Sequence, residues 1–231
     1  MERILAKRPN NEAGGARERL IDSAYDLFAA RGIGQTGIDA ILERSGCAKA
    51  SLYDHFGSKL DLAIAFLDRR EERWTRAWLE AEITKRASDP VGRLLAVFDI
   101  FDGWFRRRDF EGCSFINVLL ESEPGSKLRR SASAHLAKIR AVMRGLAEEA
   151  GLAEPEIFAQ AWHMMMKGSI IAAGEGNRNA ARDAKRAATL VLAGWPRGPQ
   201  RAAGRKMPAP SVKARAPRRQ APKRRKDAAQ L

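Results

Sequence analysis

Lys49, Tyr53, His55 and Lys59 carry the donors of a short stretch otherwise rich in small residues, Ala48, Ala50 and Ser51 among them. Ammonium, phenol and imidazole groups at helical spacing suit a polyanion, since each donates to phosphate oxygens, and alanines let a helix backbone approach base edges. Catalysis has no comparable constellation. His55, His135 and His163 are far apart, and no H-x-x-x-H, C-x-x-C, G-x-S-x-G or phosphate-loop pattern occurs. Adjacent acids such as Glu71-Glu72 and Glu148-Glu149 point apart on a helix, which suits solvation rather than shared proton transfer. The expectation is a binding protein, not an enzyme, with no catalytic residues, metal site or cofactor.

The elements that must hold these side chains are legible in residues 32–60. Thr36 is placed to cap a helix beginning at Gly37, with Asp39 completing a capping box. Ile38, Ile41 and Leu42 then share one face. Ser45-Gly46-Cys47 breaks the helix, with Gly46 suited to the left-handed bend. A second helix over 48–56 buries Leu52 and Phe56 and turns Lys49, Ala50, Tyr53 and His55 outward. Gly57 ends it, and Ser58 with Asp61 repeats the capping-box spacing, which sets Lys59 at the start of a longer helix. Upstream, residues 16–31 align Leu20, Ile21, Ala24, Leu27 and Phe28 as the first helix of a three-helix unit.

This stretch resembles the tetracycline-repressor (TetR) family of bacterial transcriptional regulators. The matching residues are Thr36-Gly37-Ile38-Asp39-Ala40-Ile41, Ser45-Gly46-Cys47-Ala48-Lys49, Leu52-Tyr53-Asp54-His55-Phe56 and Ser58-Lys59-Leu60, in the family's order and spacing. The resemblance implies a helix-turn-helix domain whose third helix reads DNA, followed by a larger helical domain that dimerises and binds a small inducer. By position it puts Thr36, Tyr53, His55 and Lys59 at phosphates and Lys49, Ala50 and Ser51 nearest the bases, with Gly37 and Ala48 completing the DNA-binding set. Three positions depart from the family pattern. Ala48 replaces a serine, which removes a side-chain cap; Cys47 replaces a valine; Asp54 adds a charge that would repel phosphate if it faced the backbone.

The rest of the chain is patterned as helices, with no period-2 strand and no internal repeat, so the fold class is all-α. A long helix over 59–86 links the two domains. Others follow from Pro90 to about Arg108, over a short segment near 113–121, over 128–150, from Pro155 to about Ala173, and from an Asn179 cap to Gly194. Trp74, Trp78, Phe98, Phe101, Trp104, Phe115 and Met165 are placed to line an effector cavity for an apolar or flat aromatic ligand, with Asn117, His135 and His163 as polar groups to orient it. The penultimate helix is apolar around most of its circumference, which implies a partner. The resemblance makes that partner a second copy, so Phe158, Trp162 and Ile170, with Ala188, Val191, Leu192 and Trp195 on the last helix, are the expected dimerisation residues.

These readings divide the chain into a flexible arm (1–15), a DNA-binding domain (16–60), an effector-binding and dimerisation domain (61–195) and a disordered tail (196–231). The tail has six prolines, and its twelve Lys or Arg against one acidic residue supply +11 of the chain's +14. Such a segment adds salt-sensitive, sequence-independent attraction to DNA. It also supports a second function class, a nucleoid-associated protein that coats DNA without regard to sequence. Two distant cysteines, Cys47 and Cys113, suit reduced thiols packed in the fold. No apolar run resembles a targeting or membrane segment, so the expected place is the cytoplasm and the expected partners are an operator duplex, a small effector and a second copy.

Overall fold

The computed structural model describes residues 15–198, and those residues belong to one structural unit. Most of the basic tail and of the N-terminal arm lies outside them. The first helix, α1 (Ala16–Arg31), buries Leu20, Ile21, Ala24, Leu27 and Phe28, the stripe expected from their spacing. Against it pack α2 (Ile38–Ser45) and α3 (Lys49–Phe56), which insert Ile41, Leu52 and Phe56. Gly46 joins them at φ 64° and ψ 23°, the left-handed region that excludes most side chains.

Helix α4 (Lys59–Arg70) starts at Ser58, whose hydroxyl accepts the Asp61 amide at 3.1 Å, as the capping-box spacing predicts. The long rod then continues unbroken but changes its winding. Residues Glu71–Glu80 form a π-helical segment, and α5 (Ala81–Arg86) completes the rod. The wider turn has a side-chain signature: Glu71, nearly buried, accepts from Arg76 five residues on (2.9 Å) and from Lys138 across the bundle (3.3 Å). Burial alone would raise this carboxyl, but the two cationic donors outweigh it and hold it below the ordinary value. Such segments are rare and concentrate at functional sites.

Helix α6 (Pro90–Phe105) opens on the Asp89 cap, with the Gly92 amide at 2.8 Å, and ends three residues before the expected Arg108. Then come α7 (Ser114–Glu121), α8 (Lys127–Glu149), α9 (Pro155–Gly174) and α10 (Ala180–Gly194). No β-strand forms among the described residues, which contain one isolated bridge, Leu152 to Arg197. Asn179 stands at the start of α10, yet its side chain makes no cap; Asn177 accepts the Asn179 amide instead (2.8 Å).

The expected dimerisation residues require correction. Phe158 and Trp162 are fully buried within the protomer, stacked on each other at 5.1 Å, with Phe98 of α6 at 5.5 Å from Trp162. Ile170, Ala188 and Leu192 are buried as well, Val191 is half-buried, and the Trp195 indole donates to Ala153 O (2.8 Å) while its ring edges onto Phe158. The cause is that α9 is enclosed by α6, α8 and α10 of its own chain, so most of its apolar circumference is core. What remains outside is Ile157, Met164 and Ile171 (51, 62 and 45 % exposed) at a spacing of seven, with Leu190 on α10.

Candidate nucleic-acid interface and effector cavity

Helix α3 is eight residues long and anchored through Leu52 and Phe56, whose burial fixes its rotation. Lys49, Ala50, Tyr53, Asp54 and His55 are exposed in consequence, while Ser51 and Lys59 are half-buried. Ala50 and Asp54, four apart, share one outward line. Neither α2 nor α3 has a side-chain cap: Gly37 and Ala48, both exposed, begin them with no side-chain acceptor for the first-turn amides. Uncapped helix starts present N–H groups and the positive dipole end to an anion.

Thr36 does something else. It is 1 % exposed, and its hydroxyl donates to Gly32 O at 2.8 Å and Leu27 O at 3.3 Å, tying the α1 end to the α2 start. The expected cap on α2 is therefore absent, and the hydroxyl is turned away from solvent; the turn over 32–36 folds it back onto the Gly32 carbonyl beyond the end of α1. Thr36→Val is expected to cost about 1–2 kcal/mol of stability by leaving the Gly32 carbonyl without its donor. A thermal melt checks this, and loss of DNA affinity at unchanged stability would return Thr36 to the interface.

Residues 20–66 match the family described as bacterial regulatory proteins, tetR family. Over those residues the chain is similar to TetR-family regulators. Among curated relatives, the HTH-type transcriptional regulator SrpR of Pseudomonas putida is 33% identical over 67 residues, 29% of this chain and 32% of SrpR. The HTH-type transcriptional activator FasR of Mycolicibacterium smegmatis is 34% identical over 111 residues, 43% of this chain and 48% of FasR. The chain thus spans about a third to a half of the curated relatives it matches. A solved TetR-family transcriptional regulator from Streptomyces coelicolor superposes with a TM-score of 0.69 at 27% identity, covering 77% of this chain and 88% of that one.

A cavity of about 250 Å³ opens between α1, the π-helical segment, α5, α6 and the loop over 107–111. Of the residues expected to line it, Trp74, Trp78 and Trp104 do, with Trp74 at 5.4 Å from Trp78 and 5.2 Å from Trp104. Phe101 lies behind them, packed on Trp104 (5.4 Å). The others are elsewhere. Phe98 and Phe115 are core, Phe115 stacked on His135; Met165 lies in a groove between α9 and α10; exposed Asn117 borders a hollow at the end of α1 and donates to Glu111 O (3.4 Å). Nor do the two histidines reach the cavity. His135 sits against Asp68 (3.1 Å), and His163 is enclosed, where burial, helped by Lys167 and Arg140, pulls its pKa down to about 4.

The cavity is also less apolar than expected. Its walls include Arg70, Arg73, Arg86 and Arg107, with Tyr25 contributed by α1. Sequence patterning overlooked them because arginines on a helix default to solvent. One sign was available: Leu62, Phe66 and Arg70 are four apart, which puts a guanidinium in the buried stripe of α4.

The cysteines pack. Cys47 Sγ lies 3.7 Å from Ala16 O, and Cys113 is buried, which raises its thiol above the ordinary value and keeps it protonated. Among the described residues no helix is long and apolar enough to cross a membrane, and no group of acidic, His or Cys side chains is placed to hold a metal ion.

Proposed function

We propose that this protein is a transcriptional repressor that binds a pseudo-palindromic operator as a twofold dimer in the bacterial cytoplasm and leaves it when a small effector fills the cavity beside α1. The outward face of α3 carries the reading: exposed Lys49, Ala50, Tyr53 and His55 flanked by two uncapped helix starts. Gly37 and Ala48 offer backbone donors to phosphate, Tyr53, His55 and Lys59 side-chain donors, and Lys49, Ala50 and Ser51 meet the bases. Asp54 joins the base-facing line through its alignment with Ala50, where a carboxylate accepts from a cytosine amino group. Residues 16–60 act as the reader. Residues 61–195, with Tyr25 of α1, hold the effector and, through Ile157, Met164, Ile171 and Leu190, the second copy.

Gel retardation and footprinting on DNA flanking its own coding region test this. Tyr53→Ala is expected to weaken every duplex alike, whereas Lys49→Ala re-ranks operator variants and costs about 1–3 kcal/mol on the preferred one. Unchanged ranking with Lys49→Ala would remove that residue from the base-contact set. Removing residues 196–231 separates repressor from coating protein: the repressor keeps its operator preference at lower affinity, and the coating protein loses binding altogether.

A further inference from the structure

The polar end of the cavity holds a buried arginine that, among the described residues, no carboxylate meets at contact distance, although Asp109 and Glu111 feel its charge. Arg70 is 4 % exposed and gives one N–H to the Tyr25 hydroxyl (3.0 Å), its guanidinium lying 5.5 Å over the Tyr25 ring. Among the described residues no carboxylate is within ion-pair distance of it. The neighbouring cations differ in this respect: Arg73 is held by Asp22 (2.8 Å), Arg107 by Asp109 through two bonds (2.8 and 2.6 Å), and Arg86 by Glu82. Glu111, the remaining carboxyl of the lining, does not reach ion-pair distance of Arg70; burial raises its pKa, and the Arg70 charge opposes that rise. A guanidinium withdrawn from water without a counter-charge is costly, and a planar carboxylate matches its fork with two parallel hydrogen bonds. The Tyr25 hydroxyl accepts from Arg70, so its own proton is left to give.

Resting on the reading of this cavity as the effector site, we propose that the effector is a small aromatic carboxylic acid, its ring against Trp74, Trp78 and Trp104 and its carboxylate on Arg70 and Tyr25. The volume, about 250 Å³, admits one or two fused rings. The acid group reports to the DNA reader, because Tyr25 belongs to α1. The residues on either side of Arg70 bind the same helix: Arg69 holds Glu18 (2.5 Å) and Asp22 (3.1 Å), and Arg73 also holds Asp22 while lying 5.1 Å over the Tyr25 ring. A carboxylate that takes the Arg70 fork thus competes within the clamp joining α1 to the rod, and differential binding between two clamp arrangements is what an effector requires.

The test titrates the full chain with benzoate, 1-naphthoate and indole-3-acetate and with the three matching carboxamides, following tryptophan fluorescence. At least one acid is expected to bind about tenfold or more tightly than its own amide, as loss of one charge-assisted bidentate contact implies. Arg70→Met should abolish that preference, Arg70→Lys should restore part of it, and Tyr25→Phe should reduce it. Amides that bind as well as their acids overturn the proposal, as does a preference that survives Arg70→Met, or silence from all three acids. If Arg70→Met fails to fold, the acid-to-amide ratio on the unaltered protein decides. Operator retardation run in parallel keeps the two readings apart. Release by a neutral compound alone sinks the acid assignment and leaves the repressor standing, whereas no retardation without ligand sinks the repressor whatever the titration gives.

Discussion

Trp162→Ala is expected to lower the unfolding free energy by about 3–5 kcal/mol, the cost of an emptied core site that its surroundings fill only in part. Trp162 is fully buried, stacked on Phe158 and packed against Phe98, so its removal opens a hole where α9 meets α6. Urea titration of the variant checks the loss. Trp162→Phe provides the internal control. The indole Nε1 is buried without an acceptor, so phenylalanine removes an unsatisfied donor while keeping most of the ring, and the two effects offset each other. Its cost should fall below about 1.5 kcal/mol, the range for swaps that nearly conserve volume. Equal losses for the two variants would mean that the ring's volume is not what the site needs.

The reader was legible because its residues are constrained locally. Gly46 must take a left-handed bend, Ser58 must face the Asp61 amide, and Leu52 with Phe56 must turn inward, and these requirements recur wherever such helices pack. Thr36 misled because a hydroxyl beside two helix ends has two uses: it can accept from the next helix or donate to the last, and sequence does not say which way the turn folds. The π-helical winding over Glu71–Glu80 left no sign in propensity or periodicity, and its Glu71 is bound by Lys138 from a distant helix, a contact that local sequence does not encode.

The cavity beside α1 was half legible for a related reason. Tryptophans at helical spacing announce an apolar wall, and Trp74, Trp78 and Trp104 form one. Which neighbouring arginines are neutralised depends on carboxylates from elsewhere in the chain, such as Asp22 for Arg73. Periodicity carries no information about that pairing. Helix α9 shows the same limit: an apolar circumference tells that most sides are covered but not by what, and three neighbours in the same chain cover most of it.

Met164→Asp combined with Ile171→Asp addresses the side they leave open. Both positions are exposed in the protomer, so a carboxylate there remains hydrated and the fold should melt within a few degrees of the unaltered protein. In a dimer joined through α9, the same two charges face their symmetry copies across an apolar seam, where like charge and lost burial act together. On the proposed assembly, sedimentation should therefore give a dimer for the unaltered chain and a monomer for the variant. Operator binding should fall by about 10²–10⁴-fold, the avidity lost when two half-sites are no longer held by one particle. The contrast with Trp162→Ala is what makes the pair informative. One variant loses stability first and the other loses assembly first, as the inner and outer faces of α9 require. If the double aspartate variant remains a dimer, the exposed stripe of Ile157, Met164 and Ile171 is not the seam.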